Sequence, residues 1–328
     1  MDSVSEGDIA RPAVSPITPE VGPGTTGTSV RAGQKATRRR SSRASLLTDD
    51  GVRIEAEHQP YAGSASAGRP DAAAGGLSGD AAHGAADPAG DPGDLAIVVA
   101  HGFTGALERP AVRRAAREFT RYAGVVTFSF RGHGRSGGRS TVGDREVYDL
   151  DAAVRWARSL GYRRVATVGF SMGGSVVLRQ AGRAAGLPGA DAGTRPDAVV
   201  AVSSPARWYY RGTAPMRRLH WMVTRPVGRA VSRYGLKTRI HSEDWNPVPP
   251  SPVEAAPLIA PTPLLIVHGD RDAYFPLDHP LSIARAAGDG AELWIERGFG
   301  HAENAADPAL LRRVGTWVTE HAEAAKRA

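Results

Sequence analysis

One serine lies between glycines in Gly169-Phe-Ser171-Met-Gly173, within RRVATVGFSMGGSVVLRQAG at 163–182, where a strand-like run meets a helix-like one. A hydroxyl at such a junction can attack a carbonyl carbon once a base takes its proton. The Gly-x-Ser-x-Gly pattern is cheap in a chain with 39 glycines, and it recurs as Gly134-Arg-Ser136-Gly-Gly138. Context separates the two. Ser171 directly follows a strand pattern and directly precedes an apolar helix pattern, whereas Ser136 trails its strand by several residues and leads into no helix. Ser171 is the candidate nucleophile: Gly169 and Gly173 leave room for a tight turn, and the helix N-terminus favours developing negative charge.

A serine alone is a poor nucleophile, so a histidine and an orienting carboxylate are expected at strand ends of the same sheet. With ten histidines in the chain, position is the criterion. His301, in GFGH, follows the last strand pattern and precedes the closing helix. Asp272, in HGDRDAYFP, follows the preceding strand. Asp270 shares that loop, and Asp272 is preferred because it lies nearer the Phe275-Pro276 end. Histidines 101, 133 and 268 each precede a glycine at a strand end and read as turn-stabilising; His220, His241, His279 and His321 have no placed partner. Acyl transfer also needs donors for an oxyanion, each worth about 3 kcal/mol. The backbone N–H groups of Met172, next to the serine, and Phe103, in the HGF after the first parallel strand, are the candidates.

These loop ends need a sheet to gather them. LAIVVA (95–100), GVVTFSF, RRVATVGF, DAVVAVSS, TPLLIVHG and AELWIE are nearly all-apolar strand patterns alternating with amphipathic helical ones, which predicts a parallel sheet covered on both faces. SLLTDDGVRIEAEHQPY, 45–61, adds a β-hairpin around Asp50-Gly51. The expected fold is α/β, with a mostly parallel eight-stranded sheet and a small helical cap. The cap is read from 205–261, where the alternation breaks. Between Arg207 and Arg239 it carries nine basic residues and no acid, interleaved with Trp208, Tyr209, Tyr210, Met216, Leu219, Trp221 and Met222.

Residues 1–44 mix Pro, Gly, Ser, Thr and charge without periodicity and read as a disordered tail; 62–93 reads as a disordered low-complexity insertion within the domain spanning 45–328. No cysteine is present, which excludes disulfides and thiolate metal sites. No apolar run reaches membrane-spanning length, and TRRRSSRAS at 37–45 lacks the apolar region of an export signal, so a cytoplasmic location is expected. The net charge of +7 comes from arginines spread along the chain, and no nucleic-acid partner is read from it. Weak contact of the basic cap with an anionic lipid surface is a further expectation. Nothing in the sequence fixes the oligomeric state.

HGFTG, FRGHGRSGG, GFSMGG, HGDRDAYFP and GFGH, in this order, resemble the α/β-hydrolase-fold serine hydrolases, from about Ser45 to the end. Within them the sequence is most similar to the group of monoglyceride lipases, cinnamoyl-type esterases and serine aminopeptidase-like hydrolases. The resemblance implies Ser171 as nucleophile, Asp272 as acid, His301 as base, Phe103 and Met172 as oxyanion donors, a small ester substrate, and neither metal nor cofactor. It places the 131–138 loop at the site mouth. Aminopeptidase, carbon–carbon hydrolase and cofactor-free haloperoxidase chemistry use the same three residues and stay open as alternatives. A binding module that kept the fold would be expected to lose one of the three.

Overall fold

The computed structural model describes residues 40–63, 92–186 and 191–324. The expectations for 1–39 and 64–91 lie outside the described residues. Eight strands form one sheet in the order β1-β2-β4-β3-β5-β6-β7-β8. They are β1 (Ser42–Leu47), β2 (Arg53–Gln59), β3 (Leu95–Ala100), β4 (Gly124–Phe128), β5 (Arg164–Phe170), β6 (Ala198–Val202), β7 (Leu264–Gly269) and β8 (Ala291–Glu296). β1 and β2 run antiparallel to their neighbours, and β3 to β8 are mutually parallel.

The tail boundary needs correction. Residues 42–44, assigned to the tail by composition, open β1 and pair with 56–58 of β2. An edge strand on a hairpin needs backbone partners more than apolar residues, and Arg43 adds a cross-strand ion pair to Glu57 at 2.8 Å. The Asp50-Gly51 turn closes as read, with Gly51 at φ 80°.

The all-apolar strands are buried on both faces because side chains alternate. In β3, Ala96, Val98 and Ala100 face one core while Leu95, Ile97 and Val99 face the other. Nine helices are described: α1 (Pro110–Phe119), α2 (Glu146–Ser159), α3 (Met172–Gly186), α4 (Ala214–Thr224), α5 (Pro226–Gly235), α6 (Pro252–Ala255), α7 (Asp278–Ala287), α8 (Ala302–Ala305) and α9 (Pro308–Ala324). α2, α3 and α7 cover the first face; α1 and α9 cover the second. Parallel strands present all their C-terminal ends to one edge, so the loops after β3, β5, β7 and β8 meet there. The segment between β6 and β7 rises over that edge as α4 and α5.

Candidate active site

Ser171 immediately follows β5 at φ 51°, a left-handed conformation that a non-glycine residue adopts only under constraint. Its amide donates to Val202 O at 2.9 Å, and its carbonyl accepts from Ser175 N in the first turn of α3. The flanking glycines are obligatory. A Cβ on Gly169 would lie 2.1 Å from Gly173 O, and one on Gly173 would lie 2.2 Å from Ala100 O.

The other two predicted side chains arrive from the neighbouring strands. His301 Nε2 is 2.9 Å from Ser171 Oγ, and His301 Nδ1 is 2.8 Å from Asp272 Oδ2 and 3.0 Å from Oδ1. Asp272 Oδ1 also accepts the amides of Tyr274 and Phe275, at 2.8 and 3.1 Å. Burial alone would push the Asp272 carboxyl up; the hydrogen bond and charge of His301, with the two amides, reverse this and hold it below the usual carboxylate range. The ionised carboxylate accepts from Nδ1–H, which leaves Nε2 free to take the hydroxyl proton. Asp270 turns elsewhere and accepts Gly298 N at 2.6 Å.

Ser136 is committed elsewhere too. Its hydroxyl, buried, donates to Ser129 O at 2.6 Å and accepts Glu55 N at 2.9 Å. The 131–138 loop is a structural brace: Arg131 bonds Asp149 on α2 and reaches Asp50 in the hairpin turn. Residues 238–240 lie against it, through Arg239 N to Gly132 O at 2.8 Å and Ser140 N to Arg239 O at 2.7 Å. The loop thereby supports the cap. His101, His133 and His268 each bond a backbone carbonyl, of Gly102, Arg131 and Phe275 respectively.

Phe103 and Met172 border the same cavity floor as Ser171. The cavity holds about 550 Å³. Its cap-side wall carries Trp208, Tyr209, Tyr210, Met216, Leu219 and Met222, whereas Trp221 is turned away and exposed. Trp208 and Trp245 pack edge to face at 5.0 Å and are pinned by indole N–H bonds to Pro249 O and Thr141 O. Among the described residues, no group of three or more His, Asp or Glu side chains is placed to hold a metal ion.

Residues 97–314 match the sequence profile of the alpha/beta hydrolase family. The chain belongs to that family. No curated protein matches this hydrolase in sequence. Solved structures share its fold: the esterase Pf2001 of Pyrococcus furiosus, at 19% identity, covers 92% of the chain and 98% of its own, with a TM-score of 0.59. The alpha/beta hydrolase GrgF of Penicillium sp. sh18, at 16%, covers 86% and 99% with a TM-score of 0.57. An esterase domain from Rhodothermus marinus, at 18%, covers 86% and 100% with a TM-score of 0.52.

Two side chains of the hydrolase's site escaped the sequence reading. Glu303, buried two residues beyond His301, accepts Gly102 N at 2.9 Å. Gly102 O in turn accepts from Gly105 N at 2.9 Å and His101 Nδ1 at 2.7 Å, so the loop carrying Phe103 is tied at both its amide and its carbonyl. Burial pushes the Glu303 carboxyl up, against the Gly102 amide. Tyr274 stacks on the His301 ring with centroids 4.1 Å apart. The available signals were proximity alone: Glu303 lies two residues from His301 in the sequence, and Tyr274 two from Asp272.

Proposed function

We propose that this hydrolase cleaves a carboxylic ester, small or acylglycerol-like, through an acyl-enzyme on Ser171. The reading rests on one observation: the continuous hydrogen-bonded path from Ser171 Oγ through His301 to ionised Asp272, opening on an aromatic-walled cavity. His301 Nε2 takes the hydroxyl proton as Oγ bonds to the carbonyl carbon, and Asp272 stabilises the imidazolium. The amides of Phe103 and Met172 receive the oxyanion. As the carbon–oxygen bond to the leaving alcohol breaks, His301 returns the proton to it; water, activated by the same imidazole, then releases the acid. Esterases among the structures of the same fold, one of them Est1E from Butyrivibrio proteoclasticus with bound ferulic acid, make esters the first substrates to try.

A fluorophosphonate probe should label the parent and not Ser171→Ala, and turnover across p-nitrophenyl esters of graded acyl length should fall at least about a thousandfold in the variant. Parent-rate turnover by Ser171→Ala would overturn the assignment. A second reading, release of an N-terminal amino acid, has one observation in its favour: Glu243 and Asp244, just beyond the acid-free 207–239 half of the cap, line the cavity and could hold an α-amino group. Faster cleavage of aminoacyl p-nitroanilides than of any ester in that panel would favour it.

A further inference from the structure

We propose that the outer face of α4 and α5 is a docking surface for an anionic lipid bilayer. Of the nine cap cations, two are held against the rest of the domain, and Arg217 and Arg229 bond backbone carbonyls within the cap. Arg207 pairs with Asp278 at 2.6 Å, and Arg239 is folded into the brace against the 131–138 loop. The seven from Arg211 to Lys237 have no carboxylate partner among the described residues. Uncompensated like charge held on one helical pair repels itself, and an anionic partner relieves that repulsion.

The same pair leaves apolar side chains uncovered. α5 packs its Gly228 and Ser232 side on α4, so closely that a Cβ on Gly228 would lie 2.6 Å from Met222 Cα. At about 3.6 residues per turn, Val227, Val231 and Tyr234 fall together outside that contact, and the Arg233 guanidinium lies 5.4 Å from the centroid of the Tyr234 ring. They are 65%, 49% and 77% exposed, and Trp221 on α4 is 46% exposed. An amphipathic helix with a cationic flank and a bare apolar stripe matches a headgroup interface: arginines meet lipid phosphates while the valines and aromatic rings enter the acyl boundary. Nucleic acid would satisfy the charges and leave the valines in water, so the bilayer fits both halves of the surface.

The surface is continuous with the cavity, because the inner side of α4 supplies Met216, Leu219 and Met222 to the cavity wall. A bilayer held on the outer side therefore lies one helix thickness from the cavity that Ser171 lines. Docking stands independently of the chemistry; the corollary that the favoured ester is one carried in the bilayer rests on the proposed hydrolysis.

The test uses the full chain carrying Ser171→Ala, floated with vesicles of phosphatidylcholine alone or mixed with phosphatidylglycerol. It should float with the anionic vesicles and not the neutral ones, and salt should release it. Arg225→Gln, Arg233→Gln and Lys237→Gln together should weaken partition about a hundredfold. Val231→Ser with Tyr234→Ser should weaken it about tenfold or more. None of these five side chains lines the cavity, so in the Ser171 background both sets should turn over a soluble short-chain ester at the parent rate. Should the parent hydrolyse no ester, an unchanged thermal unfolding midpoint certifies the variants as folded, and the vesicle result is read on its own. Equal partition to neutral vesicles, or unchanged partition after the cations are removed, overturns the proposal. So does an oligonucleotide that displaces the vesicles and binds the Val231→Ser, Tyr234→Ser variant undiminished, since that reassigns the surface to nucleic acid.

Discussion

Glu303 joins two loops that are far apart in the chain: it sits two residues after His301 and holds the amide of Gly102, the residue before Phe103. If Phe103 N–H receives the oxyanion, Glu303 is a positioning residue, acting through the loop rather than on substrate. Glu303→Ala leaves the buried Gly102 amide unpaired, which costs about 1–3 kcal/mol. It should lower kcat about tenfold or more with little change in KM, because a donor misplaced in the transition state is not missed in the ground state. Glu303→Gln keeps an acceptor oxygen and should recover most of the loss. Steady-state kinetics of both variants check this; equal losses in the two would assign Glu303 a role in charge rather than in holding the loop. His101 works from the other side of the same loop. Its Nε2 accepts Phe130 N at 3.0 Å, which leaves the proton on Nδ1 for Gly102 O.

At the scale of elements, the junction of β5 and α3 is the tightest place in the fold. Ser171 can hold φ 51° only because α3 closes directly over β3 and β5, with Gly173 touching the Ala100 carbonyl. Gly173→Ala should destabilise the protein by about 2 kcal/mol or more, since the three atoms its Cβ would meet all belong to the backbone of Ala100 and His101. The urea denaturation midpoint reads this directly, and activity should fall with it because Ser171 and the HGF loop must both shift. The cap obeys a different logic. It is tied to the loops at the sheet's edge through specific bonds, among them Thr213 Oγ1 to Tyr274 O at 2.9 Å, and its apolar residues divide between the cavity and the outer surface.

For the whole molecule, five imidazoles among the described residues are fully buried, and three of them, His101, His133 and His279, are shifted furthest in pKa. Burial, as the largest cause, lowers His101 to about 3 and His133 and His279 to about 4, against an ordinary 6.5. Between those values the unfolded chain binds protons that the folded chain refuses. Each ring's contribution to stability is therefore intact above about 6.5 and declines as the pH falls toward 4. Imidazole NMR should show these three rings neutral and unchanged from about pH 8 to about pH 5, while exposed histidines titrate. A midpoint near 6.5 for any of the three would contradict its burial.

The layered α/β fold was legible because strands buried on both faces must be apolar throughout, and that leaves an unmistakable pattern in LAIVVA or RRVATVGF. Candidate residues at strand ends were legible for a related reason: a parallel sheet puts every strand's C-terminal end at one edge, so Ser171, Asp272 and His301 could be singled out by position. The short edge strand β1 was not, because its residues are held by backbone pairing and an ion pair rather than by an apolar signature. How Glu303 ties down the Gly102 amide, and why Ser136 is spent on Ser129 and Glu55, were decided by tertiary structure alone. Hydrogen bonds between residues as many as 201 positions apart depend on where loops close in space, and side-chain type and spacing carry no record of that.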